Sequence, residues 1–106
     1  MNAVEKSRLE SRIIEALENC YDPEIPANIY DLGLIYAINI TDQGDVQIVM
    51  TLTTPHCPVA TSLPGEVQSK VEAISQANSV QVDVVWDPPW SPQKMSESAK
   101  LQLGML

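Results

Sequence analysis

The chain lacks phenylalanine altogether, and aromatic residues make up 5% of its 106 residues. Val, Ile and Leu must therefore build most of a single modest core, and residues 1–106 are expected to form one domain. Basic residues are also scarce: 6 Lys+Arg stand against 14 Asp+Glu, for a formal net charge of -8. That balance argues against binding nucleic acid or an anionic membrane, both of which need basic patches. No apolar run approaches the ~18 residues that span a bilayer. The opening Met1-Asn2-Ala3-Val4-Glu5-Lys6 is charged and carries no apolar core, so a secretory signal is not expected. With only two cysteines and no sign of export, a reducing cytoplasmic compartment with Cys20 and Cys57 as free thiols is expected.

Hydrophobic spacing organises the rest. Residues 5–20 read as an amphipathic helix, with Leu9, Ile13, Ile14, Leu17 and Cys20 recurring at steps of three to four. Cys20 on that stripe reads as a small core residue rather than a chemical one. Asp22-Pro23 ends the helix, because the residue before proline is pushed out of the helical region. The following stretch to Asp31 is stiffened by Pro23 and Pro26 and carries three carboxylates: either a packed turn in which Asp22 or Asn28 satisfies backbone donors, or a binding loop. Residues 33–41 and 46–52 read as a hairpin around Asp42-Gln43-Gly44-Asp45. Residues 59–77 read as a helix, with Pro64 either kinking it or opening its main part. Val80, Val82, Val84 and Trp86 mark a third strand, broken by Asp87-Pro88-Pro89-Trp90. Ser91-Pro92 reads as the start of a last helix carrying Met95, Ala99 and Leu103. The order α-β-β-α-β-α predicts an α+β fold: a three-stranded mixed sheet, its second and third strands parallel through a right-handed crossover, with helices mainly on one face.

The chemistry concentrates in Thr51-Leu52-Thr53-Thr54-Pro55-His56-Cys57-Pro58, where a strand gives way to a helix. A helix N-terminus lowers a thiol pKa and favours the thiolate, the form that attacks and binds metals. The overall negative charge opposes this, so any activation of Cys57 must be local. A Cys-His nucleophilic pair is disfavoured because His56 is the adjacent residue and points the other way in extended chain. Cys-x-x-Cys is absent, and a self-contained four-ligand zinc site lacks ligands. A partial site fits better: one thiolate, helped by imidazole or carboxylates, for an iron-sulfur species. The plain alternative is an unreactive loop cysteine. Trp90, at a rigid turn, either closes the edge of the core or stands out as a partner-binding anchor.

Three blocks, Asp22-Pro23-Glu24-Ile25-Pro26 with Ile29-Tyr30-Asp31-Leu32-Gly33-Leu34-Ile35-Tyr36, the Thr51–Pro58 stretch, and Val85-Trp86-Asp87-Pro88-Pro89-Trp90 with Met95-Ser96 and Leu103-Gly104, together resemble the metal-sulfur cluster biosynthesis family of SufT and PaaD type, known as "domain of unknown function fifty-nine". The resemblance runs from about residue 8 to the end. It implies a small, often dimeric α/β domain that acts as an accessory factor in iron-sulfur cluster assembly or delivery to apo-proteins. It places the family's pocket at Asp22, Glu24, Ile25, Thr53 and Thr54, with Cys57 as the motif cysteine and transient ligand for iron, sulfide or a cluster. His56 stands where many relatives carry a small residue, often glycine. The expected partners are an assembly scaffold, apo-clients and a second copy of the chain; no stably bound cofactor and no turnover of its own are expected. Three alternatives remain open: a metal-free adaptor, a thiol-dependent enzyme, or a PaaD-like factor serving a phenylacetate-degrading oxygenase.

Overall fold

The computed structural model describes residues 1–22, 25, 27–53 and 59–104, the side chains of residues 59–61 excepted. Helix α1 (Ala3–Leu17) opens on a capping box. The Glu5 N–H donates to the Asn2 side chain at 2.8 Å, and the Asn2 N–H donates back to Glu5 at 3.3 Å. These bonds satisfy donors that a helix start leaves orphaned. The box starts the helix two residues earlier than hydrophobic spacing alone suggests. Its apolar stripe, Leu9, Ile13 and Leu17, is fully buried, each residue stabilising the fold by about 1.5–3 kcal/mol. The helix ends at Leu17, so Cys20 lies beyond it, still wholly buried.

Strands β1 (Ile35–Ile40) and β2 (Asp45–Met50) pair antiparallel, and β3 (Ser79–Val84) pairs parallel to β2, giving the order β1-β2-β3. The hairpin turn uses Gly44 at φ +84, a region open to glycine at little cost. A register shift between Ile35 and Ala37 breaks the strict alternation that the sequence suggests and re-aims Tyr36. Val46, Ile48 and Met50 of β2 point into the core beside Ile38, Ile40, Val80, Val82 and Val84. Helix α2 (Val59–Glu72) covers this face together with α1, burying Leu63, Val67 and Val71. It runs through Pro64, so the main helix does not open there, and it stops before residue 77.

The opposite sheet face is a row of amides and carboxylates. Asn39 donates to Gln47, Gln47 donates to Asp83 at 2.8 Å, and Gln81 also donates to Asp83. The bonds from Gln47 and Gln81 hold Asp83 below the usual carboxylate range, and those from Ser79 and Asn78 do the same for Asp45. The helices α1 and α2 therefore pack on one face only, as the alternating strands require.

β3 ends at Val84, which leaves Trp86 outside the sheet. Ser91-Pro92 opens a single 3-10 turn (Pro92–Lys94) rather than the last helix. Helix α3 (Glu97–Gln102) starts later, where the Ser96 hydroxyl accepts from the Ala99 N–H. This terminal segment is tied back through the Ser96 N–H, which donates to the Asp31 carbonyl at 2.7 Å, and through buried Met95 and Ala99.

Candidate functional site

β2 and β3 run parallel, so their carboxyl ends emerge side by side, at residues 51–53 and 85–90. The ladder continues a little past the strands: the Thr51 N–H donates to the Leu34 carbonyl and the Val85 N–H to the Met50 carbonyl, both at 2.8 Å. Carboxyl ends of parallel strands are where α/β sheets commonly place ligands, because the chain leaves the sheet there and exposes backbone and side-chain polar groups.

Onto this end folds the acidic loop. Asp22 is only 4% exposed, and burying a carboxylate is costly unless it is hydrogen-bonded. Its Oδ1 accepts from the Ile25 N–H at 3.0 Å, closing its own turn, while its backbone N–H donates to the Ala27 carbonyl at 3.3 Å. Its Oδ2 accepts from the Thr53 hydroxyl at 3.2 Å. One carboxylate thus locks two segments that are distant in sequence, and the single proton of Thr53 is committed to it. Ile25 is half-buried and packs against the core. Asn28 closes the next turn, accepting from the Asp31 N–H at 2.9 Å and donating to the Asp31 carboxylate at 2.8 Å, so Asp31 faces the loop's own structure. The loop is a packed turn held by Asp22 and Asn28, and the same Asp22 reaches the strand end.

Of the residues expected at the site, the structure brings Asp22, Ile25 and Thr53 together. Glu24, Thr54, His56 and Cys57 lie outside the described residues. Among the described residues, no three His, Cys, Asp or Glu side chains gather as a metal site. Replacing Asp22 with alanine should orphan the Ile25 N–H and the Thr53 hydroxyl and cost about 2–4 kcal/mol. Urea unfolding checks this, and a loss below about 0.5 kcal/mol would show that the carboxylate does not hold the loop.

A pocket of about 250 Å³ adjoins Thr53, lined by Thr51, Leu52, Thr53, Trp86, Pro89 and Trp90. Trp90 is fixed by its indole N–H donating to the Leu32 carbonyl at 2.6 Å, and it packs on the core, so it closes the core edge. Trp86, which strand periodicity counts as sheet, is instead 47% exposed. The Tyr36 hydroxyl donates to the Pro88 carbonyl at 2.7 Å and steadies the segment between the two indoles. Thr51 is wholly buried, and its Oγ1 has no hydrogen-bond partner among the described residues. Leaving a buried hydroxyl unpaired costs about 1–3 kcal/mol. Strand periodicity does not foretell the exposure of Trp86 or the burial of Thr51, because they sit two residues and one residue past their strands, where alternation ceases to say which side is solvent.

Cys20 is a different kind of thiol. Desolvation by burial pushes it up from 9.0 to about 11, against a lowering by the Lys70 ammonium. The thiol donates to the Ala16 carbonyl at 3.6 Å. Raised in the folded chain, this group favours folding while protonated; the advantage is lost as pH climbs from 9.0 to about 11. Iodoacetamide near pH 7 should therefore leave Cys20 unlabelled in the folded protein. Peptide mapping checks this, and rapid labelling would contradict its burial.

These features define a small α+β domain with a largely apolar pocket at the carboxyl end of its parallel strand pair, beside a loop locked through Asp22. Residues 10–84 match the model of the iron-sulfur cluster assembly protein family, and the chain belongs to that family. A Porphyromonas gingivalis "Fe-S protein maturation auxiliary factor" is 44% identical over 97 residues, covering 92% of both chains. The Bacillus subtilis "Fe-S protein maturation auxiliary factor YitW" is 38% identical over 97 residues, covering 92% of this chain and 95% of that one. A crystal structure of a domain of unknown function, DUF59, from Bacillus anthracis superposes with a TM-score of 0.88 at 34% identity, covering 99% of this chain and 100% of that chain.

Proposed function

We propose that the chain is an accessory factor in the assembly of iron-sulfur clusters or their delivery to apo-proteins, with Cys57 as a transient ligand for iron, sulfide or a cluster. One observation carries this reading: the Thr53–Asp22 hydrogen bond at 3.2 Å ties the acidic loop to the strand end that leads, four residues later, to Cys57. The names of the relatives, maturation auxiliary factors, support the same reading. In it Thr53 and Asp22 orient the loop, Glu24 and Thr54 lie on the same two segments, and the Cys57 thiolate holds the cargo. Iron is cargo and not a resident cofactor, and the protein releases it without turnover of its own. A soft thiolate suits iron-sulfur species, while a single cysteine makes a weak enough site to let the cargo go. The partners are the assembly scaffold and apo-clients, in the cytosol, where thiols stay reduced. A homodimer completes the reading; edge strand β1 carries no charged residue, one of the usual guards against edge pairing.

Anaerobic reconstitution with ferrous iron and sulfide tests the proposal. The protein should gain visible absorbance that a chelator or an apo-client removes. A protein that stays colourless and free of iron would sink the cargo role and leave the metal-free adaptor, the reading that exposed Trp86 would then favour.

A further inference from the structure

We propose that edge strand β1 is the contact surface for a second copy of this chain, the two copies pairing antiparallel about a two-fold axis at Asn39. The surface rests on the homodimer of the reading above, and on neither Cys57 nor iron.

The sheet order leaves one side of β1 unpaired. The Thr41 N–H donates to the Asp45 carbonyl at 2.9 Å, and the register runs Ile40↔Val46 and Asn39↔Gln47. Bonded residues alternate along an antiparallel ladder. The main chain of Asn39 and Thr41 therefore faces β2, and that of Ile38 and Ile40 faces outward. Charge is a usual guard on such an edge. The other edge, β3, carries Asp83, but residues 33–41 hold no charged residue in a chain of formal net charge -8. Two copies of like charge meet at least cost over such a stretch. Asp42, just past it, is paired with Lys6.

An axis at Asn39 uses what the edge offers. Ile38 of each copy pairs with Ile40 of the other, so the outward N–H and C=O groups of both are satisfied. The same pairing sets half-buried β-branched side chains opposite each other on the helix-covered face, a favourable cross-strand pair. An axis at Ile38 would instead pair Ile40 with Tyr36, where the register shift interrupts the ladder.

The polar face names the occupant. There Gln47 donates to Asp83 and Asn39 donates to Gln47 at 3.1 Å, so a row of amides ends at the edge. The Asn39 side-chain carbonyl and second N–H have no partner among the described residues. Across the axis they meet the same two groups of the second Asn39, one donor and one acceptor each, and the pair closes reciprocally. Opposed residues without backbone bonds between them lie closest, with Cα atoms about 4.5 Å apart, within reach of this pairing. The two rows then join into one that runs between the two copies of Asp83. A strand of another protein makes the same backbone bonds, but it answers Asn39 only with an amide at that one place; a second copy always has one. A single polar residue at such a position fixes register, as a buried asparagine does in coiled coils.

Sedimentation of the full chain in reductant, over a dilution series, is the test. The parent should show a monomer–dimer equilibrium. Asn39→Asp and Asn39→Lys each set like charges across the axis and should weaken the dimer at least about a hundredfold. An equimolar mixture of the two should restore it as a heterodimer. Gln102→Glu, which adds one negative charge on α3, should leave the dimer unchanged. A cross-link reads the same axis without a charge at the edge: Asn39→Cys in a Cys57→Ser chain should form a disulfide-linked dimer on exposure to glutathione disulfide, because the separation lies within disulfide range. A parent that stays monomeric overturns the proposal and the homodimer with it. A dimer that survives Asn39→Asp, a mixture that fails to re-form one, or an absent cross-link overturns this surface alone. Iron takes no part, so the cargo role stands or falls on its own reconstitution.

Discussion

A Cys57→Ser protein should melt at the temperature of the parent and support client maturation at least about tenfold more slowly, because a serine hydroxyl stays protonated near neutral pH and is a poor ligand for soft iron-sulfur species. The size change is one atom, so a fold defect is not expected to obscure the result. The informative comparison is with Cys20. That thiol is wholly buried and pushed up to about 11, so Cys20→Ala should leave transfer per folded molecule unchanged while lowering stability by about 1 kcal/mol. Recovery of activity by an iron-sulfur-dependent apo-enzyme, with the factor supplied in each form, measures both. Equal rates for the parent and Cys57→Ser would remove the thiolate from the proposed function. The acidic loop and the Trp86 pocket would then stand as recognition elements alone.

Gly33→Ala is expected to produce the largest loss of stability. Gly33 sits at φ +80, where a side chain costs about 1–3 kcal/mol on its own. The space is also filled: a Cβ there would lie 2.3 Å from the Lys94 carbonyl oxygen and 2.8 Å from its carbon. Those are backbone atoms and cannot swing away like the end of a side chain. Relief requires the terminal segment to lift, which breaks the 2.7 Å bond from the Ser96 N–H to the Asp31 carbonyl and uncovers Met95 and Ala99. The expected loss is at least about 3 kcal/mol, lowering Tm by more than about 10 °C. Gly65→Ala is the control. Gly65 lies within α2 with nothing within 4 Å of a new Cβ, so the change should be neutral or stabilising by about 0.5–1 kcal/mol. Thermal melts of the two variants decide the matter: similar Tm values would show that the terminal segment does not lean on Gly33.

Gly33 illustrates what can be read along a chain and what cannot. Its place in the Asp31-Leu32-Gly33-Leu34 run marks a turn, but the carbonyl that occupies its missing side chain belongs to Lys94, far along the sequence. The same division holds for the acidic loop. Its prolines, its carboxylates and the turn chemistry of Asp22 and Asn28 are local properties. That Asp22 spends one oxygen on its own loop and the other on Thr53 depends on where β2 ends. The alternation of valines up to Trp86 predicts that it lies in a strand. The strand stops at Val84 because β2 offers its last paired residue at Met50, and no periodicity of β3 alone encodes the length of its partner.

The order of elements, the face each amphipathic segment buries, the parallel sense of the crossover and the family membership were all set by residue pattern. Patterns of period two and near 3.6 follow from backbone geometry, and a crossover has a preferred hand. The meeting of Asp22 with Thr53, the exposure of Trp86 and the burial of Thr51 were decided only when the segments packed. Each depends on atoms brought close from distant positions, and on which groups lost their water when that happened.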